Sequence, residues 1–258
     1  MENNNESKIE KRLLILESMI SEIYDEIIPK DSRKICPVCG QIVRLYLPVK
    51  CGDGSDTYRR DVKCPVCSSY NRHRAYALFL NMIDNIFDKN ELKLLHFAPE
   101  KCFYDKFSNM KNVDYYPVDI NPNVRGIRAV VDITDIPYED ETFDFIMCTH
   151  VLGHILDDKK AMSELYRVLK KGGHALINVP INNIYEHSFE NLEYNTPELR
   201  EKYFGQADHV RWYGKDFPKL LEKNGFQVEE VTPFIDADEA FLKKNGVYSW
   251  EKIHWCVK

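Results

Sequence analysis

Four of the eight cysteines fall in two copies of one pattern, Cys36-Pro-Val-Cys39-Gly40 and Cys64-Pro-Val-Cys67-Ser68. Two residues between thiolates let each pair bend into a tight knuckle, with Gly40 easing the first turn. Two such knuckles supply four sulfurs, the ligand set of a closed tetrahedral zinc site. The stretch between them, Gln41 to Lys63, has too few apolar residues for a core of its own, so the metal would contribute its folding free energy. A redox CxxC adjoins a thioredoxin-like βαβ unit, and neither pair does. Cys36, Cys39, Cys64 and Cys67 are therefore expected to hold a structural Zn2+. Cys51 lacks the knuckle spacing and is either a spare thiol or a replacement ligand.

A second set of chemical groups sits where apolar runs stop. Asp119, followed by Ile120, closes the run from Val113. Asp132-Ile133 follow Val130-Val131, and Thr149-His150 follow Phe143 to Cys148. An acid placed as Asp119 is can accept both ribose hydroxyls of a nucleoside; the plainer alternative is a turn former. His150 and His154 are four apart and would share a helix face. That suits lining or packing better than metal binding, because no third ligand lies nearby in sequence. A third set is Asp208-His209-Val210-Arg211. His209 can take a proton from an acceptor hydroxyl, and Asp208 can do the same or orient a histidine. Arg211 can hold an anion. Tyr185, Tyr194 and Tyr213 would line an apolar wall or pack the loop.

Alternating strands and helices must position these groups. Lys93 to Ala98 reads as a first strand, with Pro99-Glu100 opening a helix through Phe107. Val113 to Asp119, Val130-Val131, Phe143 to Cys148 and Ala175 to Val179 read as four more strands. Asp157 to Lys170 reads as a helix, with Asp157-Asp158 at its start and Lys170-Lys171 at its end, as the helix dipole favours. Gly172-Gly173 is expected to end it. Such alternation implies parallel pairing in an α/β fold, with ligands at the carboxyl ends of the strands. Beyond Pro180 comes a connection of about thirty polar and aromatic residues, long enough to be functional. Tyr213 to Asn224 reads as a helix, and Phe226 to Val231 and Ile253 to Val257 as two closing antiparallel strands.

Upstream, Asn71 to Ile86 reads as a helix with Asn71 as N-cap and Ala75, Leu78, Phe79, Met82, Ile83 and Ile86 on one face. Arg72, His73 and Arg74 in its first turn oppose the dipole, so they need partners elsewhere. Ile9, Leu13, Leu16, Ile20, Ile23 and Ile27 form a short heptad seam. It packs on its own domain or forms a dimerising coiled coil. These readings divide the chain into an N-terminal helix (1–30), a zinc-binding module (31–70) and an α/β domain (71–258), with a substrate-cap insertion at about 181–213.

The 258 residues are 44% apolar, enough for a large core, and the net charge of −6 argues against a general nucleic-acid binder. From Arg33 to Arg74, however, nine Lys/Arg face three Asp. No apolar run is long enough for a membrane span. The N-terminal MENNNESKIEKR is not a secretory signal, and a leaderless chain with these cysteines is expected in the cytoplasm.

The run from Asp132 to Pro180 resembles class I S-adenosylmethionine-dependent methyltransferases, and among them the subgroup typified by quinone and sterol methyltransferases. The matching residues are Asp132, Pro137-Tyr138, Phe143-Asp144, His150-Val151-Leu152-Gly153-His154 and Glu164 to Gly173. The whole chain is similar to a bacterial group that joins an N-terminal CPxCG…CPxC module to an HFAPE motif and a late FGQxDHVRxYG motif, here Phe204 to Gly214. The resemblance implies a Rossmann-like sheet of order 3-2-1-4-5-7-6 with its last strand antiparallel. It also implies S-adenosyl-L-methionine as cofactor. Phe97, Ala98, Pro99 and Glu100 would form the first cofactor motif, and Asp119 and Ile120 the ribose end. Asp132 would meet the adenine amino group, Ile133 would pack on the ring, and Thr149 and His150 would line the methionine end. Arg211, Tyr213 and His154 would meet substrate, with His209 and Asp208 catalytic. There are two departures: the first motif, His96 to Glu100, lacks the usual glycines, and Gly153 replaces a glutamate.

The function expected is methyl transfer to a small molecule or glycan, at oxygen. Two alternatives stay open. One is an RNA methyltransferase using the zinc module as reader, as some ribosomal RNA guanine methyltransferases join such a module to this fold. The other is a cofactor-binding scaffold without activity.

Overall fold

The computed structural model describes residues 33–50, 57–83, 86–88 and 91–258. The helix expected over Ile9 to Ile28, with its dimer seam, and Cys51 lie outside the described residues. The described residues open with β1 (Lys34–Ile35), β2 (Ile42–Val43), β3 (Leu47–Lys50), β4 (Tyr58–Lys63) and α1 (Asn71–Met82). Next come β5 (Leu92–Phe97), α2 (Lys101–Phe107), β6 (Val113–Asp119), β7 (Ala129–Val130), β8 (Phe143–Thr149), a 3-10 turn (Leu152–His154), α3 (Asp158–Val168) and β9 (Leu169–Asn178). The remainder is β10 (Phe189–Glu190), α4 (Pro197–Phe204), β11 (Arg211–Trp212), α5 (Phe217–Lys223), β12 (Gln227–Val231), α6 (Glu239–Asn245) and β13 (Ile253–Val257).

Seven strands form the central sheet in the order β12-β13-β9-β8-β5-β6-β7. Counted from β5 along the chain, this is the expected 3-2-1-4-5-7-6 arrangement. The strands β5 to β9 pair in parallel, while β13 runs antiparallel to both β9 and β12. Leu94, Leu95, Phe145 and Ile146 are fully buried. Central strands covered on both faces read as unbroken apolar runs for this reason. On one face, Leu165 and Val168 of α3 and Phe217 and Leu221 of α5 pack with Ile146 and Ile177. On the other, Tyr76 and Leu80 of α1 and Phe103 and Phe107 of α2 share a core with Cys36, Cys64 and Phe145. The cysteine knuckles therefore close one face of the main sheet. Among the described residues no helix is long and apolar enough to cross a membrane.

Three local expectations change. The helix read from Asp157 ends at Val168, and Gly172-Gly173 lie inside β9 instead of capping it. Gly172 N–H donates to the Lys258 carbonyl and Lys258 N–H to the Gly173 carbonyl, so the stretch pairs beside β13, with Gly172 turning at φ +69°. Asp157 does cap the helix, accepting from Lys160 N–H at 3.0 Å. At α1 the N-cap is Tyr70, not Asn71. The Asn71 amide donates instead to the Asp61 and Gly246 carbonyls. Finally, α1 is not one-faced. It buries Arg74, Ala75, Tyr76, Ala77, Phe79 and Leu80, while Met82 is 60% exposed, because it lies between sheet and knuckles.

Arg74 finds the partners its position demanded. Its fully buried guanidinium donates to the carbonyls of Val62, Ser69 and Gly246 at 3.0, 2.8 and 2.7 Å and lies 3.7 Å over the Tyr46 ring. One side chain thus ties the second knuckle, α1 and the end of α6. Gly246 sits at φ +62°, and a Cβ there would lie 2.1 Å from the Tyr46 ring. Only glycine meets both conditions.

Candidate functional site

Four strand ends carry the expected cofactor residues. After Phe97, Ala98 adopts φ +47°, a left-handed conformation that costs a non-glycine residue about 1–2 kcal/mol. Ala98 thus holds a backbone conformation that glycine adopts readily. Ala98 is exposed, and Pro99 leads to Glu100, the N-cap of α2.

Glu100 is the anchor of a buried polar chain. The Tyr115 hydroxyl lies 2.9 Å from His96 Nδ1, and His96 Nε2 lies 2.9 Å from Glu100 Oε2. An Nε2–H donates to the carboxylate, and Nδ1 pairs with the Tyr115 hydroxyl. Thr149 Oγ1 donates to Glu100 Oε1, and His73 Nε2 stands 3.7 Å from the same oxygen. Burial works to raise the Glu100 carboxyl. The His96 hydrogen bond, the electrostatics of His96 and His73, and the Thr149 hydroxyl outweigh it and hold the carboxyl at about 2. A fixed negative charge therefore stands at the junction of β5 and β8. Burial also lowers His73 to about 4. His96 escaped sequence reasoning, since a histidine inside an apolar strand reads as packing, whereas His73 was expected to need a partner outside its helix.

At the end of β6, Asp119 Oδ1 accepts from Asn121 N–H at 2.8 Å. The neighbouring Ile120 is 64% exposed, an apolar surface beside an acid. Asp132 is exposed and accepts from the Thr134 amide and hydroxyl, both at 2.8 Å. Ile133 is 3% exposed and belongs to the core, so it does not present an open apolar face for a ring to pack on. Thr149 is buried, and His150 follows at φ +58°, its N–H donating to the Asn178 carbonyl at 2.7 Å. Burial and then Arg72 lower His150 to about 3, so it is neutral at pH 7.

Beside these ends lies a cleft of about 290 Å³. His150, Asn178 and Pro180 form its sheet side, Arg72 and Tyr76 come from α1, and Arg59 comes from the knuckle hairpin. Asn178 Oδ1 accepts from His254 N–H at 2.8 Å, and His254 Nε2 faces Glu230 at 3.3 Å. Asn178 and His254 are further residues the sequence did not single out, because the strands carrying them meet only in the sheet. A larger cavity of about 430 Å³, between α3, α5 and β10, touches none of the strand-end residues.

His150 and His154 do not share a helix face. The positive φ at His150 breaks the chain path, and only a 3-10 turn follows. His154 instead meets Asp208 and His209. His154 Nδ1 is 3.4 Å from Asp208 Oδ2, and the two imidazole rings are 4.6 Å apart. Val210 N–H donates to the Gly153 carbonyl at 2.9 Å, locking the late motif onto the turn. A Cβ at Gly153 would lie 3.7 Å from His209 Nε2, so a side chain there would be in contact with the ring. Burial and then His154 lower the His209 imidazole, against Asp208 and the Phe204 carbonyl.

Arg211 and Tyr213 leave the expected substrate set. Arg211 is 4% exposed. It pairs with Asp158 at 2.8 Å and Glu190 at 2.6 Å and donates to the Ile155 and Leu156 carbonyls. With its donors committed and its charge neutralised, it holds the cap onto α3 instead of an outside anion. Tyr213 is 1% exposed, its hydroxyl donating to Asp158 at 2.7 Å. It does not begin a helix either, since α5 starts at Phe217.

The four cysteine sulfurs lie within 4.8 Å of one another, with Cys36 and Cys67 at 3.6 Å. Tetrahedral Zn–S bonds of about 2.3 Å put sulfurs roughly 3.8 Å apart, so the donor set fits a zinc ion. The knuckles match: Gly40 N–H donates to the Cys36 carbonyl and Ser68 N–H to that of Cys64. Gly40 and Ser68 both have positive φ, +70° and +62°.

Comparison with known proteins agrees with this architecture. Residues 70–231 match the family described as methyltransferase domain. An uncharacterized protein of Methanocaldococcus jannaschii is 30% identical over 112 residues, 43% of this chain and 52% of that one. A demethylmenaquinone methyltransferase of Clavibacter sepedonicus is 26% identical over 106 residues, 41% and 38% of the two chains. Phosphoethanolamine N-methyltransferase 2 of Caenorhabditis elegans is 26% identical over 145 residues, 55% and 31%. The chain thus spans about half or less of the length of these relatives. An S-adenosylmethionine-dependent methyltransferase structure from Mesorhizobium loti shares the fold at a TM-score of 0.50 and 10% identity, over 72% of this chain and 98% of that one. With the family match spanning more than half of the chain on a seven-stranded sheet of this order, the chain belongs to the methyltransferase-domain family.

Proposed function

We propose that the chain transfers a methyl group to an oxygen of a small molecule or glycan, and that its clustered cysteines hold a structural Zn2+. The observation that carries this reading is the cleft of about 290 Å³ between His150 and Arg59. It is near the lower bound of about 300 Å³ for small-ligand pockets and lies at the strand ends where this fold places ligands.

On the cofactor side, Asp119 offers a carboxylate to the ribose hydroxyls and Ile120 an apolar face to the adenine. Asp132 accepts from the adenine amino group, with the Ile133 backbone beside the ring. Phe97, Ala98, Pro99 and Glu100 form the turn under the methionine part, and Thr149 and His150 bound its methyl end. Bound S-adenosylmethionine supplies a methyl group on a positively charged sulfur, already activated for in-line displacement. The chain's principal task is therefore positioning. His209, neutral at pH 7 because burial lowers its pKa, takes the proton of the acceptor hydroxyl as the new carbon–oxygen bond forms. Asp208 and His154 stand beside it.

Arg59 and Arg60 are exposed on the knuckle hairpin, which favours a second reading with an RNA acceptor. Labelled methyl transfer to metabolite, glycan, RNA and protein fractions offered separately decides between them. Label in metabolites or glycans is expected, and label in RNA alone overturns the first reading. No label despite S-adenosylmethionine binding in calorimetry points to a scaffold, and no binding at all sinks both enzyme readings.

A further inference from the structure

We propose that His154, Asp208 and His209 bind a divalent transition-metal ion beside the methyl-transfer site, separate from the cysteine cluster. Each of the three offers one ligand atom, and these atoms lie within 4.8 Å of one another. The grouping is long-range, since Asp208 lies 54 residues beyond His154. It is held by backbone: the Val210 N–H to Gly153 carbonyl bond fixes the late motif against the 3-10 turn.

An independent observation points to a ligand. His209 is 5% exposed, and its Nδ1 is buried without a hydrogen bond of good geometry. Its Nε2 makes no hydrogen bond among the described residues either, facing the open side left by Gly153. Leaving a buried polar group unsatisfied is costly. An ion on one ring nitrogen would fix the tautomer and leave the proton on the other, the usual arrangement of a ligating histidine. The remaining two ligands are accessible, with side-chain exposures of 32% for His154 and 71% for Asp208, so an ion can enter from solvent.

Two imidazoles and one carboxylate suit zinc, iron(II) or cobalt(II). Three protein ligands leave coordination positions for a solvent or acceptor oxygen. That an acceptor hydroxyl takes such a position rests on the methyl-transfer reading above; the binding of the ion does not. A hydroxyl held there loses its proton to solvent at lower pH than a free one. His209 then serves as ligand instead of base.

The test is a cobalt(II) titration of the full-length chain whose cysteine cluster has first been filled with one equivalent of zinc and the excess removed. A further equivalent of cobalt is expected, with visible ligand-field bands but no thiolate-to-metal charge-transfer absorption. His154→Ala and Asp208→Ala, chosen because both side chains reach solvent, should each weaken it by at least about 10-fold while keeping the zinc and the circular dichroism of the parent. No cobalt uptake beyond the cysteine site, or equal affinity in both variants, overturns the proposal. S-adenosylmethionine calorimetry on the same samples judges the methyl-transfer reading separately. Loss of cofactor binding with cobalt binding intact would sink that reading and leave the metal site standing.

Discussion

Replacing Glu100 by Gln tests whether the buried anion at the β5–β8 junction stabilises the fold. The carboxyl is held at about 2 against an ordinary 4.5. That difference corresponds to at most about 3.4 kcal/mol of stability at neutral pH. Glutamine keeps the shape and can accept from His96 and face the Thr149 hydroxyl, so part of this remains. The expected loss is about 2 kcal/mol, or a Tm lower by roughly 4–8 °C for a domain of this size. The pH dependence separates charge from shape. A carboxyl lowered in the folded state contributes fully above its ordinary pKa and loses that contribution as pH falls toward the folded value. The difference between parent and Glu100→Gln should therefore be constant from pH 7 to 5 and shrink only below about 4.5. Urea unfolding at pH 7, 5 and 3.5 measures it. A difference under about 0.5 kcal/mol at pH 7, or one that already changes between pH 7 and 5, refutes the reasoning.

Three other outcomes are expected. Cys36→Ser should lose about one zinc per chain and destabilise the knuckles; elemental analysis showing full zinc retention removes Cys36 from the ligand set. Gly246→Ala should cost about 2–4 kcal/mol, because it combines a positive φ with a contact of 2.1 Å to Tyr46; an unchanged urea midpoint would contradict the proposed tie between knuckles and α6. Burial holds His73 and His254 at about 4 and His150 at about 3, below an ordinary 6.5. The unfolded chain then binds protons that the folded one refuses as pH falls through 6.5. Each group should withdraw up to about 2 kcal/mol by pH 5, and a urea midpoint flat from pH 7 to 5 would exclude this.

Much of the architecture was legible because its signals are local. The apolar runs of β5 and β8, the acid after β6 and the cap at Asp157 each lie within a few residues of what they mark. Sheet order came through the resemblance around Asp132 to Pro180. Where local signals had two meanings, the reading slipped. Gly172-Gly173 is a sound helix stop, yet the helix ends before it and the pair lies within β9, hydrogen-bonded to Lys258. Arg211 in a loop reads as an anion receptor until Asp158 and Glu190 close on it.

The sequence by itself determined the strand ends and the knuckles, because hydrophobic period and CxxC spacing act over less than a helical turn or two. Tertiary structure alone decided which groups meet. Glu100 gains His96 and Thr149 because β5 and β8 are neighbours in the sheet, and Arg74 reaches Gly246, 172 residues away. His154 joins Asp208 and His209 because the cap folds back onto the end of β8. These encounters depend on packing between elements distant along the chain, and local spacing does not specify such packing.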